Sequence, residues 1–371
     1  MWHSSTDPFS KSEPVEWHPY SDMDNMMIEE AFKAGTTHAM MDDYRIDFEH
    51  NLHISNNDVK NQHHVKRMLC SGDEKHVRSE RFLSNPVAPK RPYGDQYGFI
   101  SPFIKEVAKG LNLSKEQLPS KNETIVSTIV EKAALGIIEE GEKIGKQREA
   151  EQIAKMLMEK KEEGIKEVWK RCALLYTMTS FLYAKTNEIM RVIGSEEHEE
   201  IWRSKILTFG PFCLLLWDNP FDRKAAEPGT ILYRGTQLSD DMIACFQDDC
   251  SKDPKPLCSF QAFTSCTRNR NVAEMFGNVL LIMTIRIAFT IDLEPYSNYV
   301  DEEEELLLPE PDKHKITKNF QQPTEESNTD VYYDLYRYRA DYYASRDLLR
   351  GDDDRRALSR DNQDGVDYDW D

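Results

Sequence analysis

The chain has 371 residues, more than one average domain uses and enough for two with tails. Hydrophobic residues make up 39% of it, which permits a sizeable core, while 30% charge keeps much of the chain in water. A formal net charge of −19 excludes non-specific nucleic-acid binding, which needs a basic surface to release counterions from phosphate, and obliges any anionic ligand to be held by local donors against the overall field.

The opening MWHSSTDPFSKSEP lacks the apolar stretch of a secretory signal, and no apolar run approaches the length of a membrane span. An intracellular protein of cytoplasm or nucleus, without a membrane partner, is expected. Seven cysteines are an odd number without metal spacing. Cys245, Cys250 and Cys258 have no histidine near them, so reduced thiols and no metal are expected.

In VEWHPYSDMDNMMIEEAF, Trp17 and Tyr20 precede a helix in which Met27, Ile28, Ala31 and Phe32 recur at helical spacing. Asp24 and Asn25 are its candidate caps and Gly35 its stop. In DYRIDFEHNLHI, Tyr44, Ile46 and Phe48 alternate with Arg45 and Asp47, the period-two pattern of one half-buried strand. A polar turn over Ser55–Asp58 leads to a second short strand ending in VKRM. Residues 71–96 hold Pro86, Pro89 and Pro92 without periodicity and read as a linker.

LNLSKEQLP allows one helical turn, and from about Asn122 the pattern becomes helical. Ile125, Ile129, Ala133 and Ile137 share a face, although Gly136, Gly141 and Gly145 weaken that helix. Lys146–Lys161 is strongly charged, and Ile153, Met156 and Leu157 give it only a narrow apolar stripe, suited to a solvated or partner-covering helix. Over Val168–Arg191, Trp169, Cys172, Ala173, Tyr176, Thr179 and Tyr183 form one broad buried face. PFCLLLWDNPF is a further apolar helix.

Short strands follow. ILYR is an apolar strand ended by Gly235, with Tyr233 and Arg234 on opposite faces. Phe263 and Ser265 alternate in FTSCT, Val272–Phe276 is a short helical piece, and Val279–Ile287 is a mostly apolar strand. Leu306–Leu308 follows a run of glutamates. Later, Val331, Tyr333 and Leu335 alternate with Tyr332 and Asp334, as in a strand added at a sheet edge. Residues 346–371 are acidic and expected to be disordered.

An arginine ending a strand is usually structural, and an acidic run is usually solvated. Yet ILYRGT, FTSCT with VAEMF, and DEEEELLLP, in this order, resemble the Arg-Ser-Glu signature of the mono-ADP-ribosyltransferases, the NAD-arginine ADP-ribosyltransferase family. The resemblance implies an α+β domain over about 97–345. A helical part over about 122–220 would precede two packed, mainly antiparallel sheets over about 230–345, with NAD in the cleft between the sheets. ALLYTMTSFLYAKTNEIMR looks like a helix of the family, with Tyr176 and Asn187 structural.

It also implies NAD as substrate, no metal, and a protein arginine as acceptor. Nicotinamide leaves, and NAD is hydrolysed when no acceptor is present. Arg234 would fork onto a phosphate or ribose of NAD. Gly235, lacking a Cβ, would bring its backbone to the nicotinamide amide. Ser265 would bridge ligand and catalytic glutamate. Where the family reads Ser-Thr-Ser, this chain has Ser265, Cys266 and Thr267, and a thiol is a weak donor.

The family's catalytic glutamate falls on Glu305 and its partner on Glu303. Two positions apart on an extended chain, both carboxylates point to one side. One stabilises an oxocarbenium-like ribose; the other orients a protonated guanidinium and helps remove its proton. Tyr299 is a candidate to pack on the target side chain. Glu303, where the asparagine-modifying members carry glutamine, favours arginine. The histidine and tyrosine that polymerising relatives use at positions 234 and 265 are absent, which disfavours chain synthesis.

The front of the chain, residues 1–70, resembles a WWE domain, a small curved sheet with one helix. Trp2, Trp17 and Glu29 would be its namesake residues. Many such domains bind the iso-ADP-ribose unit of poly-ADP-ribose. On that resemblance Tyr20 and Tyr44 line the pocket, His53 stands where glutamine is common, and His63 or His64 replaces a phosphate-binding arginine. Histidine attracts phosphate only when protonated, so binding would be weakened and pH-dependent. The alternative for this module is a WWE fold kept for protein contacts. The alternative for the whole chain is a non-catalytic ADP-ribose reader or scaffold.

Overall fold

Ser21 turns the chain into its first helix, α1 (Asp22–Lys33), and its Oγ accepts from the Asp24 N–H at 3.1 Å. The cap is therefore Ser21, not Asp24 or Asn25. Asn25 Nδ2 donates back to the Tyr20 carbonyl at 2.6 Å. Gly35, at φ +69°, stands just past the helix end, as expected of a stop. The computed structural model describes residues 2–5, 17–68, 101–192, 196–221, 227, 229–251, 257–258, 262–285, 290–297, 305–307, 313–316 and 329–336.

Beside α1 lie β1 (Trp2–Ser5), β2 (Trp17–Pro19), β3 (His38–Met40), β4 (Tyr44–Asp47), β5 (Leu52–Ser55) and β6 (Gln62–Arg67). They form one antiparallel sheet in the order β2-β1-β6-β5-β4-β3. The single strand expected over DYRIDFEHNLHI is thus a hairpin. Asp47 Oδ1 accepts from the Glu49 and His50 N–H groups, and Asn51 takes φ +54°, so the turn forms without glycine. Ile28, Ala39, Met41, Ile46 and Val65 make the core. Glu29 forks onto Arg67 at 2.6 and 2.9 Å, and Lys66 Nζ lies 4.2 Å from the Trp17 ring centroid.

Next come α2 (Pro102–Gly110), α3 (Val126–Lys143), α4 (Gln147–Met158), α5 (Ile165–Thr177), α6 (Phe181–Val192), α7 (Glu199–Ser204) and α8 (Gly210–Trp217). The linker expected over 71–96 lies outside the described residues. The glycines that weaken α3 in sequence are contact points. A Cβ on Gly136 would stand 2.1 Å from the Thr208 carbonyl oxygen, and one on Gly141 2.3 Å from Ala150 Cβ. Gly145, at φ +72°, separates α3 from α4. The one face expected over Val168–Arg191 is broken, because Met178 leaves helical geometry at ψ 141° between α5 and α6. Every residue of α8 is buried, and it packs on α3 and α5. Trp169 Nε1 donates to the Leu216 carbonyl at 2.9 Å.

The charged helix α4 covers a partner within the chain, the N-terminal sheet domain. The two carboxylate oxygens of Asp42 accept from the Arg148 and Glu149 N–H groups at 2.8 and 3.2 Å, satisfying donors that a helix start leaves orphaned. Lys146 Nζ reaches Asp43 at 2.6 Å. Asp22 accepts from the Thr179 N–H at 2.6 Å. No helix among the described residues is long and apolar enough to cross a membrane.

The remaining elements are β7 (Ile231–Thr236), α9 (Asp240–Ser251), β8 (Leu257–Cys258), β9 (Thr264–Cys266), α10 (Arg270–Ala273), β10 (Val279–Ile285), β11 (Thr290–Asp292), β12 (Glu305–Leu307), β13 (Lys313–Ile316) and β14 (Thr329–Tyr336). They form a sheet in the order β7-β10-β14-β13-β8 and another in the order β11-β12-β9. Tyr233 and Thr267 join the two: Tyr233 N–H donates to the Thr267 carbonyl at 2.8 Å and Thr267 N–H to the Tyr233 carbonyl at 2.9 Å. The tyrosine-rich strand β14 is not at an edge. It lies between β10 and β13 and runs parallel to β10, while the other described pairs are antiparallel. The strand fills the sheet's centre because β10, an apolar run buried along almost its whole length, needs neighbours on both edges. The expected tail over 346–371 lies outside the described residues. Helices followed by two mainly antiparallel sheets give the α+β architecture expected.

Candidate active site

Arg234 is buried on β7, 7% exposed. Strand alternation separates it from Tyr233, which packs on Ala273, Leu280 and Ile282. Arg234 Nη1 donates to the Ser265 carbonyl at 2.8 Å. That carbonyl belongs to β9, and β9 pairs with β12. Arg234, Ser265 and Glu305, distant in sequence, therefore sit on three neighbouring strands. In the β9–β12 register Cys266 stands directly across from Glu305, and Ser265 across from Leu306. Glu305 is placed by its backbone; Glu303 and Tyr299 lie outside the described residues.

Ser265 is 2% exposed, and its Oγ has no hydrogen-bond partner among the described residues. Leaving a buried hydroxyl unpaired costs about 1–3 kcal/mol. The two departures from Ser-Thr-Ser have local bonds. Cys266 Sγ lies 3.5 Å from the Thr264 carbonyl oxygen. Thr267 Oγ1 accepts from the Asn269 N–H at 3.0 Å, and Asn269 in turn caps α10 by accepting from the Asn271 N–H at 3.1 Å. The sequence reading passes over Asn269, although asparagine before a short apolar piece is an ordinary cap signal.

Gly235 does not end its strand, contrary to expectation. The strand continues past it to Thr236. A Cβ there would fall 2.0 Å from the Ala273 carbonyl oxygen and 2.3 Å from that of Phe276, so the missing side chain makes room for the end of α10. What Gly235 offers a ligand is backbone. Tyr233 turns its N–H and C=O toward Thr267, and the two-residue repeat of an antiparallel strand turns those of Gly235 the same way. Among the described residues no backbone hydrogen bond closes the next rung, from Gly235 to Ser265. A donor and an acceptor side by side on a strand edge match a carboxamide.

In the N-terminal domain, Tyr20, Tyr44, His53 and His63 gather in one place. The Tyr44 and His53 rings stack at 4.0 Å, Tyr20 and Tyr44 at 5.5 Å, and His63 meets His53 edge-on at 5.6 Å. It is His63, directly across from His53, and not His64, that joins them. Burial, with His63 beside it, pulls the His53 pKa down to about 4, so the ring is neutral at pH 7. It shares a hydrogen bond with the Tyr20 hydroxyl at 2.8 Å. The Tyr44 hydroxyl is buried, which pushes its pKa up; it lies beside the Asp24 carboxyl without completing a well-formed hydrogen bond.

A family model described as NAD:arginine ADP-ribosyltransferase matches residues 142–332, and one described as WWE domain matches residues 10–67. No curated protein matches the chain in sequence. Similar solved structures include the eucaryotic mono-ADP-ribosyltransferase ART2.2, at 17% identity and a TM-score of 0.37, covering 57% of this chain and 86% of that one. The ADP-ribosyltransferase HopU1 of Pseudomonas syringae is similar at 17% identity and 0.34, covering 50% and 87%. Exoenzyme S from Pseudomonas aeruginosa, bound to Carba-NAD and to human 14-3-3 protein beta, is similar at 15% identity and 0.34, covering 58% and 96%.

Proposed function

The chain belongs to the NAD:arginine ADP-ribosyltransferase family and carries a WWE domain in front, and on that premise we propose that it moves ADP-ribose from NAD to arginine side chains of a protein acceptor. Nicotinamide is released, and NAD is hydrolysed when no acceptor is at hand. The observation that carries the reading is the meeting of Arg234, Ser265 and Glu305 on three neighbouring strands, with the Arg234 guanidinium oriented by the Ser265 carbonyl.

In this mechanism the nicotinamide carboxamide pairs with the Gly235 backbone, and Arg234 holds a phosphate or ribose of NAD. The bond between nicotinamide and ribose breaks with its electron pair leaving on nicotinamide, so positive charge develops on the sugar. Glu305 stabilises that charge, and a fixed carboxylate is most effective where water is excluded. Glu303 orients the acceptor guanidinium and takes a proton as its nitrogen bonds to the ribose carbon. Water takes the acceptor's place in hydrolysis. The WWE domain supplies a second contact, with poly-ADP-ribose or a protein; the clustering of Tyr20, Tyr44, His53 and His63 supports the polymer.

Purified full-length protein, labelled NAD and an arginine-rich acceptor test the proposal. Label should enter the acceptor, fail to enter a lysine-for-arginine version, and be lost in Glu305→Gln. Absence of both labelling and nicotinamide release, with polymer binding intact, would leave the reader reading in its place.

A further inference from the structure

Outside the three motifs, a second device holds the end of β7. Asn278 Oδ1 accepts from the Leu238 N–H at 2.9 Å, and its Nδ2 donates to the Leu238 carbonyl at 2.9 Å. Its own N–H donates to the Thr236 carbonyl at 3.2 Å. A neighbouring strand would offer Leu238 one donor and one acceptor; here a single carboxamide supplies both. These bonds fix Thr236 and Leu238, the residues that follow Arg234 and Gly235.

Gly277 makes the approach possible. It takes φ +77°, and a Cβ there would stand 2.3 Å from the carbonyl carbon and oxygen of Thr236. The same turn presses on Gly235 through the Ala273 and Phe276 carbonyls. Residues 273–278 thus grip the end of β7 and the residues just beyond it, from Gly235 to Leu238.

We propose that Asn278 is a positioning residue for the transferase reaction. It holds the end of β7 so that the Gly235 N–H and C=O meet the nicotinamide carboxamide in register. The inference rests on the reading under Proposed function. It has a physical reason: two backbone groups bind a carboxamide together only if their strand cannot rotate or slide.

The test uses the full chain, NAD as the probe, nicotinamide release as the readout, and thermal unfolding alongside. Asn278→Ala should raise KM for NAD by about tenfold or more, with most of the loss in KM and little in the unfolding temperature. Asn278→Asp keeps the shape and the acceptor, but sets a carboxylate oxygen against the Leu238 carbonyl. Its deficit relative to wild type should be at least that of Asn278→Ala at pH 7, where the carboxyl is ionised. An unchanged KM in both variants, or losses that only track unfolding temperature, overturns the inference while leaving the functional reading in place. A wild type that neither binds nor cleaves NAD removes both.

Discussion

Glu149 is one group through which pH should reach the stability of this protein. It is 7% exposed at the start of α4, and its Oε1 accepts from the Phe181 N–H, the start of α6, at 3.0 Å. Asp24 of α1, Asp42 from the β3–β4 turn and Lys146 ahead of α4 face it, with the Tyr44 hydroxyl close by. Burial first, helped by Asp24 and Asp42, raises its pKa from 4.5 to about 7, against the lowering pull of the Phe181 N–H and Lys146. The unfolded chain ionises this carboxyl more readily than the folded one. Its ionisation therefore costs stability, which is fully present below about pH 4.5 and falls as pH rises to about 7, then levels. That rise in pKa amounts to about 3 kcal/mol above pH 7. Glu149→Gln keeps an acceptor for Phe181 and removes the titration. It should be about 2–3 kcal/mol more stable than wild type at pH 8, and the gain should shrink below about 1 kcal/mol at pH 5. Denaturant midpoints followed by circular dichroism across that range measure both. A glutamine variant with a constant advantage, or one less stable at pH 8, would refute the reasoning.

Asp42→Ala removes both bonds to the first N–H groups of α4 and should cost about 1–2 kcal/mol in the same denaturant assay, with Asp42→Asn recovering part of it. Gly136→Ala drives a methyl group into the Thr208 backbone and should destabilise by about 1–3 kcal/mol or more, read as a lower unfolding temperature. Gly235→Ala must displace the end of α10, so nicotinamide release should fall about a hundredfold or more while the far-ultraviolet spectrum is kept.

Helices α1, α3 and α4 were legible because apolar residues recur along them, and α8 because it is apolar all round, whereas α2, α7 and α9 were not read from the sequence. The glycines of α3 misled for a physical reason. A helical glycine is costly in isolation, and its compensation, contact with Thr208 or Ala150, comes from residues whose proximity no local pattern states. The hairpin at Phe48–Asn51 escaped because its turn is made by Asp47 and Asn51 without the usual glycine or proline. The alternation in VYYDL announces a strand, yet not its neighbours, so β14 was expected at an edge and stands between β10 and β13. At the site, the order of the three motifs was enough to bring Arg234 and Ser265 together. The packing of α10 against Gly235 was not legible, since the atoms its Cβ would meet come from a later segment.

The family's serine role leaves Ser265 and Cys266 as competitors, and the structure divides the credentials between them. Ser265 carries the buried hydroxyl without a partner among the described residues, on the rung next to Gly235. Cys266 stands directly across from Glu305, but its thiol already lies against the Thr264 carbonyl at 3.5 Å and is a poor donor to a carboxylate. On the proposed reading, a hydroxyl whose bond forms mainly in the transition state acts on kcat. Ser265→Ala should therefore lower kcat for nicotinamide release by about tenfold to a hundredfold, with a smaller change in KM, whereas Cys266→Ala should cost less than about threefold. Cys266→Thr, with a better donor across from Glu305, should equal or exceed wild type. If Cys266→Ala proves the more damaging of the two, the residue across the strand from Glu305 does the serine's work, and the assignment to Ser265 is wrong.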